Sequence, residues 1–276
     1  MLDRKTALVV LGMHRSGTSS VAGTLALLGA RTPQTLMQPA TDNPRGFWES
    51  EVLAAFNDRL LQAGGSSWHD WRHFDPAMVG ASLPQFRDEA ADRLTTEFCE
   101  AELIVLKDPR MCRLFDFWRG VLTERGYRVI VVSPVRSPAE VAASLMARNA
   151  LSRDHALRLW LRHVSDAERA SRHLPRRFLA WPDFITDWRL HIDRLSRDLG
   201  VALDRSPEAT ARVDDFLSVE MRHQNANEGV PDQIRRAHQL LSFAARDGDH
   251  PDLQHDLDGI RHAFNQACDL FTDAPR

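Results

Sequence analysis

Cysteine is scarce in this 276-residue chain: Cys99, Cys112 and Cys268 are odd in number and far apart. They fit neither a disulfide framework nor zinc-site spacing, which suits a reducing compartment. No stretch approaches the ~20 apolar residues that span a bilayer. The first apolar run is too short for a signal peptide and flows directly into a glycine-bounded loop. A cytoplasmic protein with no membrane span is the expectation. Neither sign of charge dominates, with a formal net charge of −3 and a pI near 6.5. That balance excludes a general nucleic-acid binder, so a site for a polyanion must be a local concentration of Arg and Lys. Internal repeats and low-complexity stretches are absent from the sequence. No His/Asp/Glu cluster has metal-ligand spacing, so no metal is expected. No Gly-x-Ser-x-Gly elbow marks a serine hydrolase.

What is present is an alternation of short apolar runs with amphipathic stretches. Strands are predicted over Thr6–Leu11, Leu103–Leu106, Arg128–Val132 and Arg177–Ala180, each apolar and followed by a turn signal, as in buried parallel strands. Helices are predicted over Ser19–Leu28, Glu49–Gln62, Pro84–Cys99, Pro138–Arg148, Arg153–His173 and Trp188–Leu199. Ser137, Pro138 and Glu140 have the spacing of a capping box with a first-turn proline. The alternation implies right-handed crossovers and a parallel sheet with helices on both faces. A 43% hydrophobic content is ample for such a core. From about residue 204 onward the chain reads as helices separated by polar loops. The whole is expected to be a single domain, with its core at about 5–200 and a helical C-terminal part at about 204–276.

Residues 12–19 read Gly-Met-His-Arg-Ser-Gly-Thr-Ser, between the first strand and the first helix. Loop N–H groups and a helix N-terminus then point at one spot and favour an anion there. The spacing Gly12-x4-Gly17 matches the start of a Walker A loop, but Thr18 stands where the phosphate-gripping lysine belongs. Arg15, flanked by His14, is the cation inside the loop. A second strand-to-helix junction places Arg136 at the end of the third strand and Ser144 within the next helix. Ligands of open α/β sheets bind beyond the carboxyl ends of the strands. Arg136 should therefore face the same crevice, holding a second anionic group bidentately with the Ser144 hydroxyl beside it.

Gly12–Ser19 resembles the 5′-phosphosulfate loop of sulfotransferases that use 3′-phosphoadenosine 5′-phosphosulfate (PAPS), and Arg136-x7-Ser144 resembles their 3′-phosphate site. Asp42-Asn-Pro-Arg-Gly-Phe-Trp-Glu49 and Leu106-Lys-Asp-Pro-Arg110 resemble segments of the bacterial, carbohydrate and tyrosylprotein branches. The resemblance runs in order through about residues 5–200. It implies a P-loop-like three-layer α/β fold and transfer of a sulfonate to a hydroxyl or an amine, releasing adenosine 3′,5′-bisphosphate. His14, Ser16, Gly17, Thr18 and Ser19 would bind the 5′-phosphate together with Arg15. Arg15, always charged, would stabilise the bridging oxygen as the sulfonyl group leaves.

In the same resemblance Glu49 is the base for the acceptor, its proton affinity raised by Phe47 and Trp48. The competing reading is a first-turn glutamate that complements the helix dipole. Glu51, His14 and His69 are the other candidate bases. Lys107 would stabilise the transferring sulfuryl group, the alternative being an ion pair with Asp108. Asn43, Arg45 and Arg110 would contact the acceptor or brace Glu49. Arg222 and His223 faintly resemble a late loop that closes over the donor, although a solvated basic pair fits them better. Trp160 and His163, at i and i+3, suit a core position rather than an adenine stack. The aromatic loop Gly64–Pro76 would wall the acceptor site or tuck its tryptophans into the core. The acceptor would be a small molecule, a glycan or a lipid-linked glycan. The rival functions are an atypical P-loop kinase and a non-catalytic nucleotide-binding member of the family.

Overall fold

The protein is represented by a computed structural model that describes residues 5–217 and 229–270. Four strands, β1 (Thr6–Val10), β2 (Leu103–Lys107), β3 (Arg128–Val135) and β4 (Arg176–Ala180), form one parallel sheet in the order β2-β1-β3-β4. Between β1 and β2 lie α1 (Thr18–Leu27), α2 (Glu51–Ala63) and α3 (Leu83–Phe98). Helix α4 (Met111–Glu124) crosses from β2 to β3, and α5 (Pro138–Asn149) with α6 (Arg153–Ser171) crosses from β3 to β4. After β4 come α7 (Trp181–Thr186), α8 (Trp188–Leu199), α9 (Pro207–Phe216), α10 (Asp232–Asp247) and α11 (Pro251–Asp269).

The two-residue period of the strands divides the core. Ala7, Val9, Ile104, Leu106, Val129 and Val131 pack against α2, α3 and α4 through Phe56, Phe98 and Trp118. Leu8, Val10, Val105, Ile130 and Val132 face the opposite layer, where Val21, Leu25, Phe184, Ile192 and Val213 meet them. Both faces are covered, so the strands read as continuous apolar runs, the mark of a buried parallel sheet. A third cluster lies beyond β4, where α5, α6, α10 and α11 enclose Leu145, Trp160, Leu241 and Phe264. The architecture is a helix–sheet–helix α/β fold with a helical C-terminal portion, the class expected from the sequence.

Three local differences have physical causes. The parallel crossover from β2 to β3 requires an element, and α4 supplies it. Its buried face carries Arg113 among the apolar residues, Cys112 included, which interrupts the stripe in the sequence. Strand β3 continues through Pro134 to Val135, where it pairs with β4 only, beyond the last β1 residue in register at Val132. A missing N–H is tolerated on a strand paired on one side. Ser137 forms no side-chain cap, because Glu140 turns to Arg136 instead of closing the box.

Asn57 ties the first layer to the strand ends. Fully buried, it donates to Asp108 Oδ2 at 2.8 Å and accepts from Trp118 Nε1 at 2.8 Å. Asn57→Leu strands a buried carboxylate oxygen and an indole N–H at once. It is expected to cost about 3 kcal/mol in urea unfolding. A loss below about 1 kcal/mol would show that this network does not hold α4 against α2.

Candidate active site

The cleft opens at the carboxyl ends of β1, β2 and β3 and encloses about 810 Å³ of free space, its mouth included. Its floor is the loop after β1. Leu11 N bonds to Val132 O at 3.1 Å, and Ser16 N closes a turn on Met13 O at 3.1 Å. Arg15 and Gly17 both take the left-handed conformation, with φ of 68° and 88°. A Cβ on Gly17 would sit 2.2 Å from the Trp181 ring, so only glycine fits there. Gly17 is the N-cap of α1 and offers no side chain, which leaves the first-turn N–H groups of α1 for a bound anion.

Charged groups converge on this loop. Arg15 Nε donates to Ser144 Oγ at 2.7 Å, and Arg15 Nη1 to the Asp42 carbonyl at 3.1 Å. Arg136 Nη1 donates to the Arg15 carbonyl at 2.9 Å, while Arg136 Nε meets Glu140 at 2.8 Å. The Arg136 guanidinium lies over the Trp181 ring, 5.8 Å from its centre. Arg136 and Ser144 both line the cleft, but the direct partner of Ser144 is Arg15. Burial, with Arg148 next in size, lowers the Arg15 pKa, a sign of crowded positive charge.

Opposite the loop, Lys107 at the end of β2 is buried and donates to the Glu49 carboxylate. It also donates to Phe47 O at 3.1 Å and to Ser19 Oγ at 3.3 Å. The Ser19 hydroxyl in turn donates to Phe47 O at 3.2 Å and receives Asn43 Nδ2 at 3.3 Å. Arg110 Nη1 lies 3.8 Å from the second oxygen of Glu49. Burial pushes the Glu49 carboxyl above the usual carboxylate range, against the opposing pull of Lys107 and Arg110.

Glu49 precedes the helix. Helix α2 begins at Glu51, and the Ser50 hydroxyl caps it by accepting from Leu53 N at 3.0 Å. The first-turn position therefore belongs to Glu51, which is exposed and lies outside the cleft. Lys107 pairs with Glu49, while Asp108 takes Arg110 and Asn57. Trp48 turns away to stack edge-on against Phe216, 5.5 Å between ring centres, so that of the Phe47–Trp48 pair only Phe47 lines the cleft.

Other candidates divide between cleft and core. His14, Gly17, Thr18 and Ser19 line the cleft, whereas Ser16 is buried with a hydroxyl that has no hydrogen-bond partner among the described residues. His14 packs edge-on against Trp68 at 4.9 Å, and its buried Nε2 likewise has no partner among the described residues. Burial, helped by Arg110, drives its pKa well below the ordinary histidine value, so it is neutral. His69 lies outside the cleft lining, with Nδ1 3.3 Å from Ser67 Oγ. Trp160 and His163 are fully buried in α6. His163 Nδ1 bonds to Leu159 O at 2.9 Å, and burial lowers its pKa to about 3. Arg45 reaches α9, where it donates to Asp215 O at 2.9 Å and to Phe216 O. Arg222 and His223 lie outside the described residues.

The aromatic loop is held by two buried arginines. Arg113 of α4 donates to Ser67 O at 2.5 Å and Arg72 O at 2.7 Å, and Arg162 of α6 donates to Trp71 O at 2.9 Å. Trp68 is thereby set against His14 at the cleft wall, while Trp71 packs on the third core cluster. Three cleft residues fall outside the sequence motifs: Ser20, Arg148 and Trp181, whereas Asp42 opens the Asp42–Glu49 segment. The i, i+4 spacing of Ser144 and Arg148 on α5 is the one hint available for Arg148.

No family model and no curated protein matches the chain. Among solved structures, it is similar to the sulfotransferase domain of the Synechococcus PCC 7002 olefin synthase, at 17% identity and a TM-score of 0.44, over 94% of each chain. It is also similar to the sulfotransferase domain from the curacin biosynthetic pathway, at 12% identity and a TM-score of 0.48, over 87% of this chain and 98% of that one. A third is a sulfotransferase from Mycobacterium tuberculosis H37Rv, at 15% identity and a TM-score of 0.45, over 88% of this chain and 77% of that one.

Proposed function

We propose that the protein is a sulfotransferase that moves the sulfonate of PAPS to a hydroxyl or amine acceptor and releases adenosine 3′,5′-bisphosphate. The observation that carries this reading is the placement of a buried carboxylate, Glu49, on Lys107 across one cleft from a lysine-free anion loop. The loop residues fit an anionic donor. Gly17 lets Trp181 pack directly on the loop, and among the described residues the buried Ser16 hydroxyl has no partner and no side chain caps the first turn of α1. PAPS, when bound, would supply an activated sulfonate on its 5′-phosphate, with the 3′-phosphate as its second anionic end.

Sulfuryl transfer asks little covalent chemistry of a protein and much positioning and charge stabilisation, as phosphoryl transfer does. Arg15, fixed by Ser144 and the Asp42 carbonyl, holds a permanent positive charge over the loop. Arg136 and Ser144 line the wall where the second anionic end would be held. Glu49 takes the proton of the acceptor, and burial gives its carboxylate the proton affinity a base needs. Lys107 orients that carboxylate and keeps part of it ionised. The acceptor belongs at the side of the cleft bounded by His14 and Trp68.

Glu49→Gln is expected to lower turnover by roughly 10²–10⁴-fold while adenosine 3′,5′-bisphosphate still binds in calorimetry. Turnover close to wild type would remove Glu49 from the mechanism. Calorimetry also separates the donor classes: micromolar binding of the bisphosphate without binding of ATP is expected, and the reverse pattern identifies a kinase.

The base must be ionised, and its pKa is raised, so kcat should fall with decreasing pH at a value above the ordinary carboxylate range. Lys107 lowers that pKa, so Lys107→Met should both reduce the rate and move this acidic limb to higher pH. A profile with its limb unmoved in Lys107→Met would show that Glu49 is not the titrating base.

A further inference from the structure

Three guanidinium groups converge on the anion loop, from Arg15, Arg136 and Arg148, and two carboxylates answer them. Arg136, in the junction before α5, and Glu140 in the first turn of α5 are 2.8 Å apart, with side chains only 11% and 9% exposed. A pair that enclosed is permanent structure. Asp42 is different. Its Oδ2 lies 2.9 Å from Arg148 Nε and 3.7 Å from Arg15 Nη1, yet Asp42 is 36% exposed and Arg148 31%. Ion pairs at such exposure are weak and exchange readily.

The backbone around Asp42 is anchored without its carboxylate. Asn43 N bonds to Ala40 O at 2.8 Å, and Asn43 Nδ2 bonds to Gly46 O at 2.8 Å and to Ser19 Oγ. The carboxylate can swing out by side-chain rotation alone. Arg148 has a second support, since its guanidinium lies 5.7 Å from the centre of the Phe47 ring and stays aimed at the cleft when Asp42 leaves. Ser144 and Arg148, four residues apart, share one face of α5. That face already supplies the hydroxyl that holds Arg15.

We infer that Arg148 is a further anion-binding residue of the cleft and that Asp42 is an internal counter-anion, displaced by an incoming phosphate or sulfonate group. The inference rests on the reading of the cleft as a donor site. It adds to that reading a third arginine and an exchangeable carboxylate. The exchange holds three like charges together before the donor arrives. It also returns Asp42 to its arginines as product departs, which lowers donor affinity and favours release.

The test is calorimetric titration of adenosine 3′,5′-bisphosphate and, separately, inorganic pyrophosphate into wild type, Asp42→Asn, Arg148→Gln and the double variant, each checked for folding by thermal melt. Asp42→Asn should bind both anions roughly threefold more tightly or better, because no ion pair is given up. Arg148→Gln should weaken both by about tenfold, the size of a lost charge-assisted contact. In the double variant the gain from Asp42→Asn should shrink, since only the longer contact to Arg15 is left to lose. Unchanged or weaker binding in Asp42→Asn, or wild-type affinity in Arg148→Gln, overturns the inference. If pyrophosphate follows the expected pattern while the bisphosphate fails to bind, the nucleotide-donor reading falls and the exchange stands. Equal bisphosphate affinity in all four proteins sinks the exchange and leaves the donor reading intact, and no binding of either anion sinks both.

Discussion

The contact between Lys107 and Glu49 organises the whole reactive end of the molecule. It brings together the end of β2, the segment before α2 and, through Ser19, the first turn of α1. Lys5 and Lys107 are the only lysines in a chain otherwise supplied with arginine. An ammonium is a compact point charge with three donors that can diverge, where a guanidinium is a planar fork. Lys107 uses that freedom to reach a carboxylate, a hydroxyl and a main-chain carbonyl at once. Taking two charges out of water is costly unless the remaining lone pairs and protons find partners. Here Arg110 and the Phe47 carbonyl supply them.

Rigidity around the cleft comes from arginines that bind main-chain oxygens. Arg113 and Arg162 pin the loop carrying Trp68 and Trp71, and Arg45 ties the Asn43–Trp48 turn to the end of α9. Each uses charge to fix backbone in loops that own few hydrogen bonds of their own. Burying the forks is tolerable because their N–H groups are largely taken by carbonyls, carboxylates and amides. The walls are thereby preorganised, and the exposed Asp42 side chain is the softer part.

Much of the fold was legible because each strand is an uninterrupted apolar run ending in a turn, and the Gly12–Ser19 loop sits where such a strand meets a helix. Helix α4 was less so, since Arg113 interrupts its apolar stripe to reach the Ser66–Arg72 loop. Glu49 was legible as a residue of interest, but the boundary beside it was not. The expected helix start at Glu49 gives way to Ser50 because a serine hydroxyl caps the first turn better than a carboxylate committed to Lys107. The partner of Ser144 was beyond sequence spacing, since Arg15 meets it from a loop 129 residues away in the chain. Asp42 and Arg148 could not be paired from sequence for the same reason: their contact is tertiary.

Arg136 has a role that its charge alone does not describe. Its Nη1 donates to the Arg15 carbonyl and so occupies that oxygen. A cradle made of peptide groups attracts anions only while their positive ends face inward, and one reversed carbonyl would place a partial negative charge in the same space. With Arg15 in the left-handed conformation, the peptide that follows it is held at both ends, its carbonyl by Arg136 and its N–H by Met13 O. Arg136 thus acts as a keeper of dipole direction, so that the polarity of the loop is written by a side chain from a neighbouring strand.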